Sequence, residues 1–391
     1  MRGCKIEAVS AMSSAGNSLD ALYRKILSGE TALKQTQRGD ISSFFGAVEN
    51  LPPLPNHWPT THRSRNNQLL WALFLQIEAQ YRELSKSIDP ARIGIAIGTS
   101  TSGVGESEPY FDYLTSGQPI DHGFHLDQQD ISSPSDSLSR VLGVDGPAIS
   151  ISTACSSGAN ALASAKRWLE QDICDIVIAG GVDTLCQLTI SGFHSLSAMS
   201  DQLTIPMSKN RAGINLGEGG ALFLLSAHQD GCQVAGVGGA SDAHHFSAPH
   251  PDGRGAQAAM LSALRQAQVR TDEVGYLNLH GTGTEQNDAM ESKAVSSVFG
   301  KVPCSSTKGI IGHTLGAAGA LEVAICYAVL LDSSGRAPAN AFDGVLDPSL
   351  PLIGLLTESE ATAARVAMSN SFAFGGSNVS VVLKSGVPAL S

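Results

Sequence analysis

The sequence of 391 residues has few of the features that are typical of membrane, secreted or nucleic-acid-binding proteins. No apolar run approaches the roughly 18 residues that a membrane-spanning helix needs. The longest candidate, residues 323–331, is bounded by Glu322 and Asp332. Near the N-terminus, Glu7 interrupts the apolar segment that a signal peptide would require. We therefore expect neither a membrane span nor a secretory signal.

Cysteine usage argues against a disulfide-bonded or zinc-binding protein. The seven cysteines are an odd number without a C-x-x-C pair, and none is spaced from a histidine as zinc ligands are. Such usage is typical of free thiols in a reducing compartment. We expect a cytoplasmic protein without disulfides and without a metal site.

Charge is sparse and mostly acidic. Charged residues make up 16% of the chain, and 25 Lys and Arg face 36 Asp and Glu, for a net charge of −11. Nucleic-acid binding requires a basic face, so we expect no nucleic-acid partner. The 42% hydrophobic content and 41 glycines indicate a tightly packed globular protein, long enough for two fused halves.

The sequence does contain a cysteine placed for chemistry. Cys155 lies in the motif TACSSG, after the apolar segment 147–151 and before the helical pattern of 159–170. This order predicts a strand, a tight turn and a cysteine at a helix N-terminus, where the helix dipole favours the thiolate. A buried structural cysteine is the alternative for any single cysteine, and two histidine motifs weigh against it.

Both histidine motifs lie far downstream of the cysteine. His280 stands in NLHGTGT, with Glu291 eleven residues later. His313 stands in KGIIGHTLGAAG, five residues after Lys308. Either histidine alone would fit a buried core side chain, but the two motifs together with TACSSG form a set.

This set resembles the Cys-His-His constellation of the β-ketoacyl-acyl-carrier-protein synthases, the elongating condensing enzymes of the thiolase superfamily. The resemblance runs from about residue 5 to residue 385, and it includes NLGEGG at 215–220 and NSFAFGGSN at 370–378. One motif would be weak, whereas several in family order and at family spacing are specific.

The resemblance implies an α/β thiolase-like fold, in which two similar halves form an α/β/α/β/α five-layer core. We expect residues 1–228 to form the half with the nucleophilic cysteine and residues 229–391 the half with both histidines, divided near the polar break SAHQDG. A faint repeat agrees with this, because Cys155 and His313 are each followed by x-x-Gly-Ala at the start of an alanine-rich helix.

Local patterns fit alternating strands and helices. Apolar runs predict buried strands at 93–98, 175–181 and 221–225, and spacing on one face predicts a helix over 67–84. The segment 103–118 is polar and aromatic, which indicates a surface insertion.

The resemblance also assigns roles in the condensation of two thioesters. Cys155 would hold the acyl chain, and the backbone N–H groups of Cys155 and Phe374 would form the oxyanion hole. His280 and His313, as neutral imidazoles, would stabilise the enolate left when a malonyl group loses carbon dioxide. Phe372 and Phe374 would gate the acyl tunnel.

Supporting residues follow from the same resemblance. We expect a buried Lys308–Glu291 pair that orients the histidines. Thr282 and Thr284 would bind the phosphopantetheine arm, which the acyl carrier protein supplies, so no other cofactor is expected. The carrier would dock on Arg63 and Arg65 at a helix start and on a loop with Lys209 and Arg211.

The sequence therefore predicts a β-ketoacyl-acyl-carrier-protein synthase, an acyltransferase of fatty-acid or polyketide/aryl-polyene-type biosynthesis. It would act as a homodimer or as a heterodimer with a second ketosynthase-like subunit. One alternative is a chain-length-factor-like partner subunit, although such subunits usually lack the cysteine. Another is a biosynthetic thiolase, which the absence of a cysteine in Phe374-Gly375-Gly376 disfavours.

Overall fold

Strands and helices alternate along most of the chain in the computed structural model, which describes residues 2–117 and 124–386. The strands are β1 Lys5–Ser13, β2 Lys34–Arg38, β3 Ile41–Gly46, β4 Ile93–Gly98, β5 Ala148–Ile151, β6 Ile176–Asp183, β7 Leu216–Gly217, β8 Gly219–Ser226, β9 Gln233–Ser241, β10 Tyr276–Asn278, β11 Cys304–Ser305, β12 Arg336–Ala337, β13 Glu360–Ala361, β14 Val366–Ala373 and β15 Ser377–Lys384. The helices are α1 Leu19–Leu27, α2 Arg65–Ser85, α3 Glu108–Ser116, α4 Ser133–Leu142, α5 Ser157–Glu170, α6 Gln187–Ser195, α7 Arg254–Ala267, α8 Glu285–Phe299, α9 Lys308–Ile311 and α10 Ala318–Leu331.

The main sheet consists of two five-stranded groups with the same topology. The first has the order β1-β8-β6-β4-β5 and the second β9-β15-β14-β10-β11. In each group the first three strands are antiparallel neighbours and the last three are parallel neighbours. The groups join edge to edge, where Lys5 of β1 pairs with Gln233 of β9.

Helices cover and separate the two groups in five layers. Helices α2 and α4 pack on the outer face of the first group, and α7 and α8 pack on the outer face of the second. Helices α5 and α10 lie between the groups and contact both each other and the strands on either side. This arrangement confirms the predicted α/β/α/β/α core of the thiolase-like fold.

The composition of the central elements explains their position. Strands β4, β6, β8 and β14 are buried along their full length, because helices cover both faces. Apart from Glu322, helix α10 has apolar side chains around most of its circumference, as a helix enclosed by two sheets requires. It contains the apolar run 323–331. No helix in the described ranges is long and apolar enough to cross a membrane.

Small residues let the two central helices approach closely. A Cβ added to Gly158 would lie 2.8 Å from the backbone nitrogen of Ala320, and one added to Gly319 would lie 2.9 Å from that of Ala159. The two Gly-Ala repeats therefore open adjacent helices, as the internal repeat suggested. The break at 226–231 lies between β8 and β9, and the division into 1–228 and 229–391 stays a prediction.

The local predictions agree with the elements observed. Segment 93–98 is β4, and 67–84 falls within α2. Segments 175–181 and 221–225 overlap β6 and β8. The region from 103 contains a short 3-10 turn and helix α3, and residue 118, its predicted end, lies outside the described residues.

Candidate active site

Cys155 sits on a strained turn between β5 and α5. The preceding residue, Ala154, has a φ of +51°, which is unfavourable for any residue with a Cβ. Hydrogen bonds to the Ala154 carbonyl hold this conformation, from the Ser157 hydroxyl at 2.6 Å and the Ser157 backbone N–H at 3.1 Å. The turn directs Cys155 towards the second half of the chain.

His313 meets the cysteine directly. Its Nε2 lies 3.0 Å from Cys155 Sγ. Its Nδ1 accepts a hydrogen bond from the backbone N–H of Leu315 at 3.1 Å, so in the neutral ring Nε2 carries the hydrogen. His280 stands beside it, with ring centroids 5.4 Å apart and planes at 85°. The structure therefore brings together all three residues of the predicted set.

The same three side chains have the donor types of a zinc site. One ligand atom from each of Cys155, His280 and His313 lies within 4.8 Å of the others. His313 Nε2 lies at hydrogen-bond distance from the sulfur, and burial raises the pKa of the Cys155 thiol to about 12.

That raised pKa corrects the expectation of a helix-stabilised thiolate. Cys155 is buried, and the cost of burying a negative charge outweighs the charge of Lys308 and the N–H groups of Phe374 and Cys155, which lower the pKa. The resting cysteine is a neutral thiol. Burial and the charge of Lys308 also hold the pKa of both His280 and His313 well below the usual value, so both rings are neutral.

The predicted Lys308–Glu291 pair is wrong. Lys308 Nζ instead forms a buried ion pair with Glu322 and donates to the backbone carbonyl of His280 at 2.5 Å. The Glu291 carboxylate accepts the backbone N–H groups of His280 at 2.8 Å and of Gly281 at 2.7 Å. The side-chain amides of Asn370 and Asn287 also donate to Glu291, at 3.3 and 3.4 Å.

Lys308 and Glu291 therefore hold opposite ends of the same residue, His280. Burial raises the pKa of Glu291 to about 7, while the two backbone N–H groups lower it. Burial likewise raises the pKa of Glu322 to about 7, against the influence of Lys308. Sequence reasoning missed Glu322, although a carboxylate inside an apolar helical run was the available signal.

A cavity of about 520 Å³ leads to the cysteine. The predicted pantetheine-binding residues Thr282 and Thr284 line it, and their hydroxyls lie 2.9 Å apart. The predicted gating residues Phe372 and Phe374 line it too. Phe193, which the sequence did not single out, stacks against Phe374 with ring centroids 5.6 Å apart. No local signal marked Phe193, because it is one of three apolar side chains in α6, with Leu188 and Ile190.

The oxyanion hole expected from the backbone N–H groups of Cys155 and Phe374 stays a prediction, which the surroundings of Sγ support. The backbone N–H groups of Phe374 and Cys155 are both close enough to Sγ to favour its charged form. Gly375 has a φ of +82°, a conformation that only glycine adopts without strain, and its N–H donates to the Phe246 carbonyl at 2.8 Å. The Phe374 amide is thus fixed by its neighbour.

Of the two loop residues predicted to dock the carrier protein, one is buried and the other is exposed. The prediction for Arg211 is wrong, because its side chain is only 7% exposed and is bound to Asp347 at 2.5 Å. Lys209 is exposed on the same loop. A loop position does not by itself tell whether an arginine faces solvent or an internal carboxylate.

The other two docking residues are partly engaged. Arg63 donates to main-chain carbonyls within residues 55–58. Arg65 pairs with the buried Glu218, yet its side chain stays 42% exposed. Carrier docking at these positions stays a prediction.

Comparison with known families agrees with this site. Residues 1–230 match the family described as "Beta-ketoacyl synthase, N-terminal domain". Residues 232–338 match the family described as "Beta-ketoacyl synthase, C-terminal domain". The chain belongs to the β-ketoacyl synthase family. It is a condensing enzyme of the 3-oxoacyl-acyl-carrier-protein synthase type, and hence an acyltransferase.

Individual β-ketoacyl synthases support the same assignment. The 3-oxoacyl-acyl-carrier-protein synthase 2 of Coxiella burnetii is 30% identical over 97% of each chain. A structure described as the ketosynthase ApeO in complex with its chain length factor ApeC, from Xenorhabdus doucetiae, aligns with 41% identity and a TM-score of 0.94 over 98% of both chains. A type II polyketide ketosynthase complex with its acyl-carrier protein shares the fold, at 23% identity and a TM-score of 0.85, over 98% of this chain and 99% of that one.

Proposed function

We propose that Cys155 accepts an acyl chain from one acyl carrier protein and passes it to the carbon of a second, malonyl-loaded carrier. The observation that carries this is the 3.0 Å contact between Cys155 Sγ and His313 Nε2 at the end of a cavity. A thiol and two neutral imidazoles are the groups that decarboxylative condensation requires.

In the first half-reaction the Cys155 sulfur attacks the acyl thioester. The bond from the acyl carbon to the pantetheine sulfur breaks, and the thiol proton leaves with the freed pantetheine thiol. The N–H groups of Cys155 and Phe374 stabilise the oxyanion formed on the way. Because the pKa of the free thiol is about 12, we infer that attack is coupled to loss of the proton.

In the second half-reaction the malonyl thioester loses carbon dioxide, and its electrons form an enolate. His280 and His313 donate hydrogen bonds to the enolate oxygen. The enolate carbon attacks the acyl-Cys155 carbonyl, the carbon–sulfur bond breaks, and the released Cys155 thiolate takes up a proton from solvent water. The product is a β-ketoacyl carrier thioester two carbons longer. Thr282 and Thr284 hold the pantetheine arm, which is the one prosthetic group involved, and Phe372 and Phe374 gate the acyl tunnel.

A second ketosynthase-like subunit would complete the acyl end of the cavity. Large apolar side chains are exposed on segments that all contact the 3-10 turn at 104–107: Phe111, Leu114, Leu126, Leu188 and Leu196. Leu196 also lines the cavity. In the described part of the chain, β5 forms one edge of the main sheet and pairs only with β4. We infer that this face pairs with a second copy or with a chain-length factor.

Arg65 and Lys209 are the docking residues that remain exposed, and we propose that they contact the acidic carrier. We also propose a cytoplasmic location, since all seven cysteines are buried free thiols. The pathway is fatty-acid or polyketide biosynthesis, and we propose a specialised, aryl-polyene-type product. The similarity to a ketosynthase that is bound to a chain length factor supports a pathway in which this chain has such a partner.

Intact mass spectrometry tests the proposal. The purified chain is mixed with a series of acyl carrier proteins, alongside Cys155→Ala. We expect an acyl adduct on the wild-type chain and none on the variant. If no acyl chain labels the protein, while a co-expressed second synthase subunit does become labelled, the chain is a chain-length-factor-like subunit and the catalytic proposal fails.

A further inference from the structure

Asp183, the last residue of β6, is a completely buried carboxylate at the centre of a hydrogen-bond network. Its Oδ1 accepts the hydroxyls of Thr99 and Thr101, each at 2.7 Å, and the backbone N–H of Thr101 at 2.9 Å. Its Oδ2 accepts the backbone N–H groups of Ser100 at 2.8 Å and Gly316 at 2.6 Å. These five donors are neutral, so the carboxylate organises loops rather than balancing a cation.

The first branch of this network reaches the nucleophile. Asp183 fixes the Ser100 backbone, and the Ser100 hydroxyl donates to the Ala154 carbonyl at 3.2 Å. Ala154 is the residue with positive φ that precedes Cys155. The strained turn is therefore held from the β4 side through Ser100, as well as from α5.

The second branch reaches the histidine. The N–H of Leu315 donates to His313 Nδ1, and the next N–H along the chain, that of Gly316, donates to Asp183. The two amides point from the same turn, so the position of the carboxylate fixes the position of the amide that orients the ring. A Cβ on Gly316 would lie 2.6 Å from Asp183 Oδ2, so only glycine lets the loops meet here.

We propose that Asp183 is a positioning residue that sets the contact between Cys155 and His313. Charge-assisted hydrogen bonds from fixed amides are short and directional, which suits a carboxylate that must hold two loops in register. Asp183 does not appear in the described lining of the cavity, so it acts through the loops. This role rests on the proposed use of Cys155 and His313 as the reacting pair.

The main test variant is Asp183→Asn, which keeps the size of the side chain. It replaces one accepting oxygen by an NH₂ group, which cannot accept the backbone N–H groups that face it. We expect the rate of Cys155 alkylation by iodoacetamide to fall about tenfold at a given pH, with the whole profile moved to higher pH, because the His313 donor no longer reaches the sulfur. Turnover should fall by about 100-fold, with KM for malonyl carrier little changed, since a displacement of about 1 Å costs this much.

Two further variants separate positioning from general loss of stability. Thr101→Val removes one donor to Asp183 and should shift the alkylation profile in the same direction by a smaller amount. Val329→Ala removes buried methyl groups near the far end of α10. It should lower the melting temperature without moving the profile.

Superimposable alkylation profiles for Asp183→Asn and the wild type would overturn the positioning role, and so would an equal shift in Val329→Ala. If Asp183→Asn does not fold, Thr101→Val decides by the same profile. Alkylation needs no carrier protein, so this test succeeds or fails independently of whether the chain turns over the proposed substrates.

Discussion

His313 Nε2 lies 3.0 Å from Cys155 Sγ, although 158 positions separate the two residues in the chain. Since Leu315 occupies Nδ1, the ring donates to the sulfur and stabilises a thiolate when one forms. We expect His313→Ala to slow iodoacetamide alkylation of Cys155 by about tenfold, the value of one hydrogen bond to a charged atom. In the wild type the rate should rise through pH 10 without a plateau, because the thiol pKa is about 12. A plateau near pH 8.5 would contradict the burial effect.

His280 has a different expected phenotype. Burial and the charge of Lys308 keep it neutral, so carbon dioxide release from malonyl carrier should show no inflection near pH 6.5. His280→Ala should slow that release by about 100- to 1000-fold, as the loss of one oxyanion donor does. Acyl transfer to Cys155, followed by intact mass, is the internal control and should persist. Equal loss of both steps would mean that His280 serves the fold.

Lys308 and Glu322 form a buried ion pair, with side chains 1% and 2% exposed. Lys308→Met strands the carboxylate and should lower the free energy of unfolding by about 3–5 kcal/mol. The double variant Lys308→Met with Glu322→Leu should recover most of that stability, as measured by urea unfolding. Turnover should stay low in the double variant, because the His280 carbonyl has lost its donor. Recovered turnover would mean that Lys308 matters only for charge balance.

The buried carboxyl group of Glu291 should make the free energy of unfolding depend on pH. Burial raises its pKa from 4.5 to about 7, so the folded protein holds a proton that the unfolded chain has released. The contribution to stability is present below pH 4.5 and is lost as pH rises through about 7, by roughly 3 kcal/mol in total. Urea unfolding at pH 5, 6, 7 and 8 should show this decline. Glu291→Gln, which cannot titrate, should show a flatter profile, and parallel profiles would refute the shift.

Alanine substitutions at two helix glycines should have opposite effects, because one glycine lies in the contact between α5 and α10 and the other faces open space. Gly158→Ala places a methyl group 2.8 Å from the backbone of Ala320, and we expect a loss of about 1–3 kcal/mol in the free energy of unfolding. Gly192→Ala, in α6, meets nothing within 4 Å and should stabilise the chain by up to about 1 kcal/mol. Thermal unfolding of both variants checks the signs. Two losses of equal size would remove the packing explanation.

The proposed reacting residues could be predicted from the sequence because each of them lies in a short, specific motif. Cys155, His280 and His313 each stand in a turn with its own glycines, and such turns predict where a side chain points. The five layers were predicted from the resemblance to the thiolase superfamily, and the apolar runs predicted individual buried strands.

Pairings across the core were harder to predict. Lys308 pairs with Glu322, whereas the Glu291 carboxylate accepts the backbone N–H groups of His280 and Gly281, and this arrangement depends on how distant segments pack. The burial of Arg211 and the raised pKa of Cys155 depend on enclosure by distant segments. No local pattern contains that information, because burial is a property of the packed chain.

The close packing of α5 against α10 has a consequence for how the enzyme can be controlled. The nucleophile follows a strand of the first five-stranded group, whereas His280, His313 and Phe374 follow strands of the second. We expect any strain, ligand or cleavage that moves the two helices apart by about 1 Å to slow catalysis by about 100-fold, because the reacting groups would lose their alignment. The catalytic rate would then report how closely the two five-stranded groups are held together.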